Sequence, residues 1–168
     1  MSKILISGYY GFANAGDEAM LTAIIESLRQ VEKNVELTVL SGNPEDTAAK
    51  HQVCSVYRFN PLGIIRAMKD SELIISGGGS LLQDVTSKRS LLYYLSIIGL
   101  GKFFGKKVML FAQGIGPIRA KWARKLTSLV CNEADLITVR DSESAAELIE
   151  MGVKPEKITV TADSVLSL

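Results

Sequence analysis

The sequence is poor in the residues that most often build metal sites and disulfide frameworks. It has only two cysteines and one histidine among 168 residues. Cys54 and Cys131 lie far apart, in or beside apolar segments, and we interpret both as buried, reduced thiols of a cytosolic protein. His51 precedes the third predicted strand, at the amino edge of the sheet, where we expect it to be exposed to solvent. We expect neither a bound metal ion nor a cofactor.

A charge imbalance and a long apolar run are also missing. The chain carries 19 basic and 18 acidic residues, mixed along its length, which argues against a nucleic-acid partner. The most apolar segment, residues 91–105, is interrupted by glycines and Lys102 and is shorter than the ~20 residues that a spanning helix needs. We predict a buried helix there; contact with a membrane surface or a lipid-linked substrate is the alternative. The N-terminus lacks signal-peptide features, so we expect a cytoplasmic protein, with the inner face of the membrane as the alternative location.

What the sequence does contain is a regular alternation of strand-like and helical segments. Apolar strand-like runs occupy residues 4–7, 35–40, 53–57, 73–75, 108–112, 136–139 and 158–160. Helical spacing of apolar residues covers 18–31, 45–51, 62–69, 91–104, 120–131 and 142–151. The pattern predicts one α/β domain over residues 1–168, with a Rossmann-like parallel sheet of about seven strands and helices on both faces. Pro61 and Pro117 are expected to begin helices, and Gly152 to end one.

Glycine and polar residues concentrate where the predicted strands end. The segment "GYYGFANAGDEA" follows the first strand, "SGGGSLLQD" the fourth, "AQGIGP" the fifth, and "VRDSES" and "TADS" the last two. Because the carboxyl ends of parallel strands meet at one edge of a sheet, we expect these segments to converge. Glycine lets backbone N–H groups approach an anion, and a helix N-terminus adds about half a positive charge. The edge is therefore predicted to bind phosphate, pyrophosphate or carboxylate groups.

Fourteen residues of these segments are the candidates for ligand contact. They are Gly8, Gly11, Asn14, Gly16, Asp17, Gly77, Gly78, Gly79, Ser80, Gln113, Gly114, Arg140, Ser144 and Asp163. Structural roles are the alternatives: Gly77 to Gly79 could form a tight turn, and Asn14, Gly16 or Asp17 could cap a helix, a role that suits Asp17 well. Arg140 could bind a carboxylate or phosphate through two hydrogen bonds, or form a surface ion pair with Asp141 or Glu143. Asp17, Asp84 and Arg140 are the candidates for catalysis.

Two common phosphate-binding motifs are absent. Gly8, Gly11 and Gly16 do not match the spacing G-x-G-x-x-G, and the second strand ends in Leu40-Ser41 without a ribose-binding acid. No Gly-Lys-Ser/Thr sequence follows a glycine-rich loop either. These observations argue against an NAD enzyme and a P-loop kinase.

In their joint order, the segments "GYYGFANAGDEAML", "SGGGSLLQDVTS", "AQGIGP", "VRDSESAAEL" and "VTADSV" resemble the N-terminal half of polysaccharide pyruvyl transferases. The resemblance extends from Gly8 to Val165 and is greatest to the CsaB branch, which acts on secondary cell-wall polymers of bacteria with surface layers. It implies one half of a GT-B-like enzyme, whose two Rossmann-like halves face each other across a cleft. The implied reaction moves the enolpyruvyl unit of phosphoenolpyruvate onto a sugar, forming a pyruvate ketal and releasing phosphate.

The resemblance also implies a partner saccharide and a missing domain. In the CsaB branch the acceptor is thought to be an N-acetylmannosamine unit of a lipid-linked saccharide, and a nucleotide-linked saccharide is the alternative. The family's C-terminal half, where a histidine and a Ser-x-Arg motif are associated with catalysis, lies outside this chain, so we expect the chain alone to be inactive. Two other functions stay open: half of a GT-B glycosyltransferase with a nucleotide-sugar donor, or a stand-alone phosphate- or nucleotide-binding module.

Overall fold

The structure is a computed structural model that describes residues 1–161. Within them lie the strands β1 (Lys3–Ser7), β2 (Glu36–Ser41), β3 (Cys54–Tyr57), β4 (Leu73–Ser76), β5 (Gly79–Leu82), β6 (Lys107–Ile115), β7 (Leu136–Val139) and β8 (Ile158–Val160). The helices are α1 (Ala15–Val31), α2 (Pro44–His51), α3 (Pro61–Asp70), α4 (Lys88–Phe103), α5 (Lys121–Glu133) and α6 (Ser142–Met151). All seven predicted strands are present, and β5 is an additional one.

The strands form one parallel sheet in the order β3-β2-β1-β4-β6-β7-β8. The strand β5 pairs with the last part of β6, beyond the part that pairs with β4, so it continues the line of β4 after a break at Gly77 and Gly78. The segment "SGGGSLLQD" was expected to be a turn, and this expectation was wrong for its second half. The order of the strands reverses between β1 and β4, which is where ligands bind in open α/β sheets.

The core lies on both faces of the sheet, as the period-2 alternation of strand side chains requires. On one face Ile6 and Val39 pack with residues of α1, such as Leu21. On the other face Leu5 and Leu110 belong to a larger cluster to which α3, α4, α5 and α6 all contribute. Helices therefore cover both faces, and the predicted Rossmann-like α/β class is confirmed.

The apolar segment of residues 91–105 is a core helix, as predicted. Leu91, Leu95 and Ile98 of α4 are buried against the sheet, whereas Phe103 at its end is exposed. Across residues 1–161, no helix combines the length and the apolar character that crossing a bilayer requires.

The helix boundaries decide two expectations about helix starts. Of the three residues expected as possible caps of α1, Asn14 is the cap and Asp17 is not: the Asn14 Oδ1 accepts a hydrogen bond from the Asp17 N–H at 3.2 Å. Pro117 does not begin a helix, because α5 starts only at Lys121. As predicted, Pro61 is the first residue of α3, and Gly152, with φ of 106°, directly follows the last residue of α6.

Two expectations about single side chains were wrong. Cys54 is exposed because β3 is the edge strand of the sheet, whereas Cys131 is buried as expected. The His51 side chain is only 10% exposed, and its Nε2 lies 3.2 Å from Glu18 Oε2. His51 ends α2, where Glu18 in the first turn of α1 can reach it. The histidine is therefore linked to the first glycine-rich segment.

Candidate functional site

The segments after β1, β4 and β7 and the end of β6 lie on one rim of the sheet and contact one another. The expectation that "AQGIGP" is a turn was wrong for its first four residues, because β6 continues through Gln113 and Gly114 to Ile115. The Gly77 N–H donates to Ser7 O at 2.7 Å, which joins the ends of β4 and β1. Gln113 Nε2 donates to Ser76 O at 3.0 Å, and Arg140 Nη2 donates to Ser80 Oγ at 2.9 Å. The convergence that the topology predicts is therefore present. Asp163, in the fifth segment, lies outside the described residues.

The fully buried side chain of Tyr10 occupies the centre of this rim. Its ring lies against Gly8 and its hydroxyl against Gly77, and a Cβ atom at either glycine would overlap with it. Burial raises the pKa of Tyr10 far above its ordinary value, and its hydroxyl has no hydrogen-bond partner among residues 1–161. Gly8 and Gly77 thus make room for a tyrosine, a role that the sequence analysis did not consider.

A hydrogen bond to Glu18 fixes the position of the first glycine-rich segment. Gly11 has φ of 84°, which favours glycine, and its N–H donates to Glu18 Oε1 at 2.9 Å. The other carboxylate oxygen of Glu18 faces His51. Asn14 and Gly16, two of the candidate residues, are exposed at the start of α1. The segment therefore has a fixed base and an exposed outer part.

One cavity of about 360 Å³ opens beside the start of α1. It is lined by Tyr9, Asp17, Ser80, Leu81, Gln83, Thr86, Ser90 and Tyr94. Burial, together with the nearby Glu18 carboxylate, raises the pKa of Asp17. Gly79, with φ of 105°, leaves the space next to Asp17 Oδ1 open. The cavity combines hydroxyl groups, two phenol rings and a carboxyl group that takes up a proton more readily than an ordinary aspartate.

A second cavity of about 490 Å³ lies beside the start of α6. Three arginines line it, Arg119, Arg124 and Arg140, together with Ser144 and three acids, Asp141, Glu143 and Glu147. The Arg140 guanidinium lies over Gly114, where a Cβ would overlap with it. Arg140 Nε is 3.7 Å from Asp141 Oδ2, so the expected ion pair is present beside the hydrogen bond to Ser80. Since Ser80 lines the first cavity, the Arg140–Ser80 contact connects the two.

Three candidate residues hold the loops of the rim. Gln113 is buried and also donates to Gly77 O, and Ser144 Oγ accepts the Ile115 N–H at 3.0 Å. The Asp84 carboxylate accepts the N–H groups of Ala120 and Arg119 at 3.0 Å, and these bonds lower its pKa. A carboxyl group that is kept ionised in this way is poorly suited to act as a general acid. Gly78 is buried between β4 and β5.

The sequence analysis did not single out Arg58, which follows β3 on the same rim. Its side chain is buried and surrounded by the rings of Tyr9, Phe12, Phe59, Tyr93 and Tyr94. The signals "GYYGF", "VYRFN" and "LLYYL" are each aromatic-rich, but they are distant in sequence and meet only in the fold. Within residues 1–161, no group of three or more His, Cys, Asp or Glu side chains is arranged to hold a metal ion.

The fold and its polar rim define a Rossmann-like domain of the GT-B type, and solved structures agree. HepE of Anabaena in complex with UDP-glucose has a TM-score of 0.64 at 14% identity, covering 97% of this chain and 44% of that chain. MnaA of S. aureus in a co-structure with UDP has a TM-score of 0.56 at 17% identity, covering 98% and 44%. The galactosyltransferase WaaB of the lipopolysaccharide outer core has 0.56 at 16% identity, covering 95% and 45%. The chain spans less than half the length of these structures, and the likeness shows the fold.

The family follows from the sequence. The family model of polysaccharide pyruvyl transferase matches residues 14–168, and the chain belongs to this family. The match includes four of the five rim segments completely and the first from Asn14 onward. None of the curated proteins matches the sequence.

Proposed function

We propose that this chain is the N-terminal domain of an enzyme that moves the enolpyruvyl group of phosphoenolpyruvate onto a cell-wall saccharide, with N-acetylmannosamine as the acceptor sugar, as in the CsaB branch. One observation carries the proposal beyond family membership. Two cavities of different chemistry, one lined by three arginines and three acids and one rich in hydroxyl groups, are joined through the Arg140–Ser80 contact. A transferase that brings an anionic donor to a sugar needs such a pair.

The arginine-lined cavity suits phosphoenolpyruvate, whose carboxylate and phosphate are both anionic. Arg140 is about one-third exposed, and its planar guanidinium can bind a carboxylate or phosphate through two parallel hydrogen bonds. The N-terminus of α6 begins at the same cavity and adds a partial positive charge. We therefore assign the donor to this side.

The other cavity suits the acceptor sugar. Ser80, Thr86 and Ser90 offer hydroxyl groups, and tyrosine rings offer apolar faces for a sugar ring. In the proposed reaction the methylene carbon of phosphoenolpyruvate gains a proton, and one sugar hydroxyl adds to the neighbouring carbon and loses its proton. Phosphate leaves with the bridging oxygen, and a second hydroxyl closes the ketal, its proton passing to the departing phosphate. Asp17, at the cavity wall with a raised pKa, receives a hydroxyl proton in this scheme. The remaining catalytic groups would come from the C-terminal half.

The experiment that tests the proposal uses protein that carries the complete reading frame. With phosphoenolpyruvate and an N-acetylmannosamine-containing acceptor, lipid-linked or nucleotide-linked, we expect release of phosphate. This chain alone is expected to release none. The proposed reaction belongs to the cytoplasm, at the inner face of the membrane if the acceptor is lipid-linked.

Substitution of Arg140 tests the donor side separately. Arg140→Ala is expected to raise the KM for phosphoenolpyruvate at least tenfold and to leave the melting temperature within about 2 °C, since partly exposed ion pairs contribute little to stability. Lys121→Ala, an exposed cation at the start of α5, is the control and should change neither. Equal losses of folding and of phosphoenolpyruvate use would show Arg140 to be structural.

A glycosyltransferase with a nucleotide-sugar donor is the second candidate. The observation that favours it is the fold likeness to HepE bound to UDP-glucose and to the galactosyltransferase WaaB. Release of a nucleoside diphosphate from a sugar nucleotide, without use of phosphoenolpyruvate, would support this candidate instead.

A further inference from the structure

Arg58 is a buried cation inside a cluster of aromatic rings. Its side chain is 4% exposed, and its guanidinium carbon lies 4.5 Å from the ring centre of Tyr93, 5.0 Å from that of Phe59 and 5.2 Å from that of Phe12. Tyr9 and Tyr94 complete the cluster at 5.8 and 5.6 Å. We call Arg58 and these five rings the Arg58 cage.

The cage satisfies the charge of Arg58 but not its hydrogen-bond donors. Ring faces attract a cation, yet they offer no acceptor to the N–H groups in the guanidinium plane. Among the residues that the structure describes, Nε and Nη1 have no partner, and Nη2 lies 3.5 Å from the Tyr94 hydroxyl, at the limit of a hydrogen bond. Within residues 1–161, no carboxylate forms an ion pair with Arg58. Buried donors without partners destabilise a fold, so these two nitrogens require an explanation.

The cage shares a wall with the hydroxyl-rich cavity. Tyr9 and Tyr94 belong to both, so Arg58 lies directly behind the surface on which the acceptor sugar is proposed to bind. Tyr9 and Phe12 cover Arg58 as a stacked pair, with ring centres 4.3 Å apart and about two-fifths of each side chain exposed. Both belong to the exposed part of the first glycine-rich segment, which contains the positive φ angles of Gly11 and Ala13.

We propose that Arg58 binds an oxyanion carried by the ligand of this cavity, a sugar phosphate or sugar diphosphate, when the Tyr9–Phe12 pair moves aside. The inference rests on the proposed saccharide acceptor. Asp17 and the hydroxyl groups favour the sugar part of such a ligand, whereas an ionised Asp17 repels its phosphate. Arg58 supplies a positive charge and N–H donors for that phosphate, whereas none of the residues that line the cavity is a cation. A lipid-linked and a nucleotide-linked saccharide both present such a phosphate.

Binding of small probes tests the assignment without the transfer reaction. Titration calorimetry with inorganic pyrophosphate, glucose 1-phosphate and glucose is carried out in an Arg140→Ala background, so that the arginine-lined cavity contributes less. Addition of Arg58→Met should weaken binding of both phosphates at least tenfold and leave that of glucose unchanged. Arg66→Met, at an exposed arginine of α3, is the matched control and should have no effect.

The melting temperatures of the same variants show whether Arg58 binds a ligand or only stabilises the fold. Methionine keeps apolar contacts with the rings and removes the buried N–H donors that lack acceptors, so Arg58→Met without ligand should melt at or above the melting temperature of the wild type. A large decrease of the melting temperature with unchanged phosphate binding would show that the cage is structural and overturn the proposal. So would the failure of both phosphates to bind to the parent protein.

The source of the oxyanion is identified with the complete protein. The KM for the acceptor is measured with wild-type protein and with Arg58→Met, once for a nucleotide-linked and once for a polyprenyl-diphosphate-linked saccharide. The KM should increase for the saccharide whose phosphate Arg58 binds. No increase with either contradicts the proposal. Phosphate release from phosphoenolpyruvate, measured with wild-type protein, tests the transferase reaction independently, so failure of one proposal is distinguishable from failure of the other.

Discussion

Tyr10 shows at the scale of single residues why two glycines of the rim are needed. Its hydroxyl is buried without a hydrogen-bond partner in residues 1–161, and a Cβ added at Gly77 would overlap with it. Apart from the hydroxyl, a Cβ at Gly77 would meet nothing nearer than Ile24 Cδ1 and Ser7 O at 3.3 Å. At Gly8, by contrast, the added Cβ would overlap with the ring itself.

These contacts predict a selective rescue. Gly77→Ala should lower the free energy of unfolding by about 1–3 kcal/mol, the usual cost of overpacking. Tyr10→Phe should change stability little and should restore most of the loss in the double variant Tyr10→Phe/Gly77→Ala. Urea unfolding of the four proteins measures the coupling. Gly8→Ala is the control, because Tyr10→Phe keeps the ring and should not rescue it.

We expect the Asp17 carboxyl group to lower the stability of the fold while it contributes to the proposed activity. Because burial and Glu18 raise its pKa in the folded state, its ionised form destabilises the fold above the unfolded pKa of about 3.9. Asp17→Asn should therefore raise the midpoint of urea unfolding at pH 7, and the gain should disappear near pH 3, where aspartate is protonated in both states. The same variant should slow the proposed transfer at least a hundredfold. Lower stability at pH 7 would contradict this interpretation of the carboxyl group.

At the scale of elements, α5 begins without a cap of its own. Ala120 precedes the helix and has no side-chain oxygen, and Asp84 from the loop after β5 supplies the missing acceptor from 36 residues away in sequence. The contact ties the glycine-rich segment after β4 to the segment after β6. An aspartate that was a candidate for catalysis is thus a capping residue for a distant helix.

The Asp84 contact predicts a pH-dependent contribution to stability. Its folded pKa is lowered by the N–H groups of Ala120 and Arg119, so the stabilisation is complete above the unfolded pKa of about 3.9 and is lost as the pH falls through the folded value. Asp84→Asn should unfold at lower urea concentration than the wild type at pH 7, and the difference should shrink below pH 4. Glu156→Gln, at an exposed residue, removes the same charge without a cap and should show no such trend.

The strand β5 is the element that the sequence analysis missed. "GGGS" has the composition of a turn, and strand propensity does not predict pairing there. The segment becomes a strand because β6 is nine residues long and extends past β4, so its unpaired edge is available to Gly79–Leu82. Tertiary context, not local preference, decides this element.

At the scale of the whole molecule, the sheet separates two buried clusters, and Cys131 lies within the larger one. Burial alone raises the pKa of its thiol to about 12, so both access and thiolate formation are suppressed. With an excess of an aromatic disulfide reagent, one of the two thiols, Cys54, should react in the native protein. The second should react only at the rate of global unfolding.

Cys54→Ser provides the control for this labelling experiment. It should remove the fast phase completely and leave the slow phase unchanged. A second fast thiol in the native wild type would mean that α5 opens locally from the sheet.

The sequence by itself determined the alternation of strands and helices, the parallel class and the rim on which the polar segments meet. Apolar periodicity is a local property, and regular alternation of strands and helices makes the strands parallel, so that their carboxyl ends lie on one edge of the sheet. It did not determine which polar residues face a cavity. Gln113, Ser144 and Asp84 form hydrogen bonds to backbone groups of distant segments, and His51 lies beside Glu18, because hydrogen-bond partners are determined by distance in space and not in sequence. Only the tertiary structure brought three separate aromatic segments around Arg58, since no local pattern specifies which distant side chains will share a buried volume.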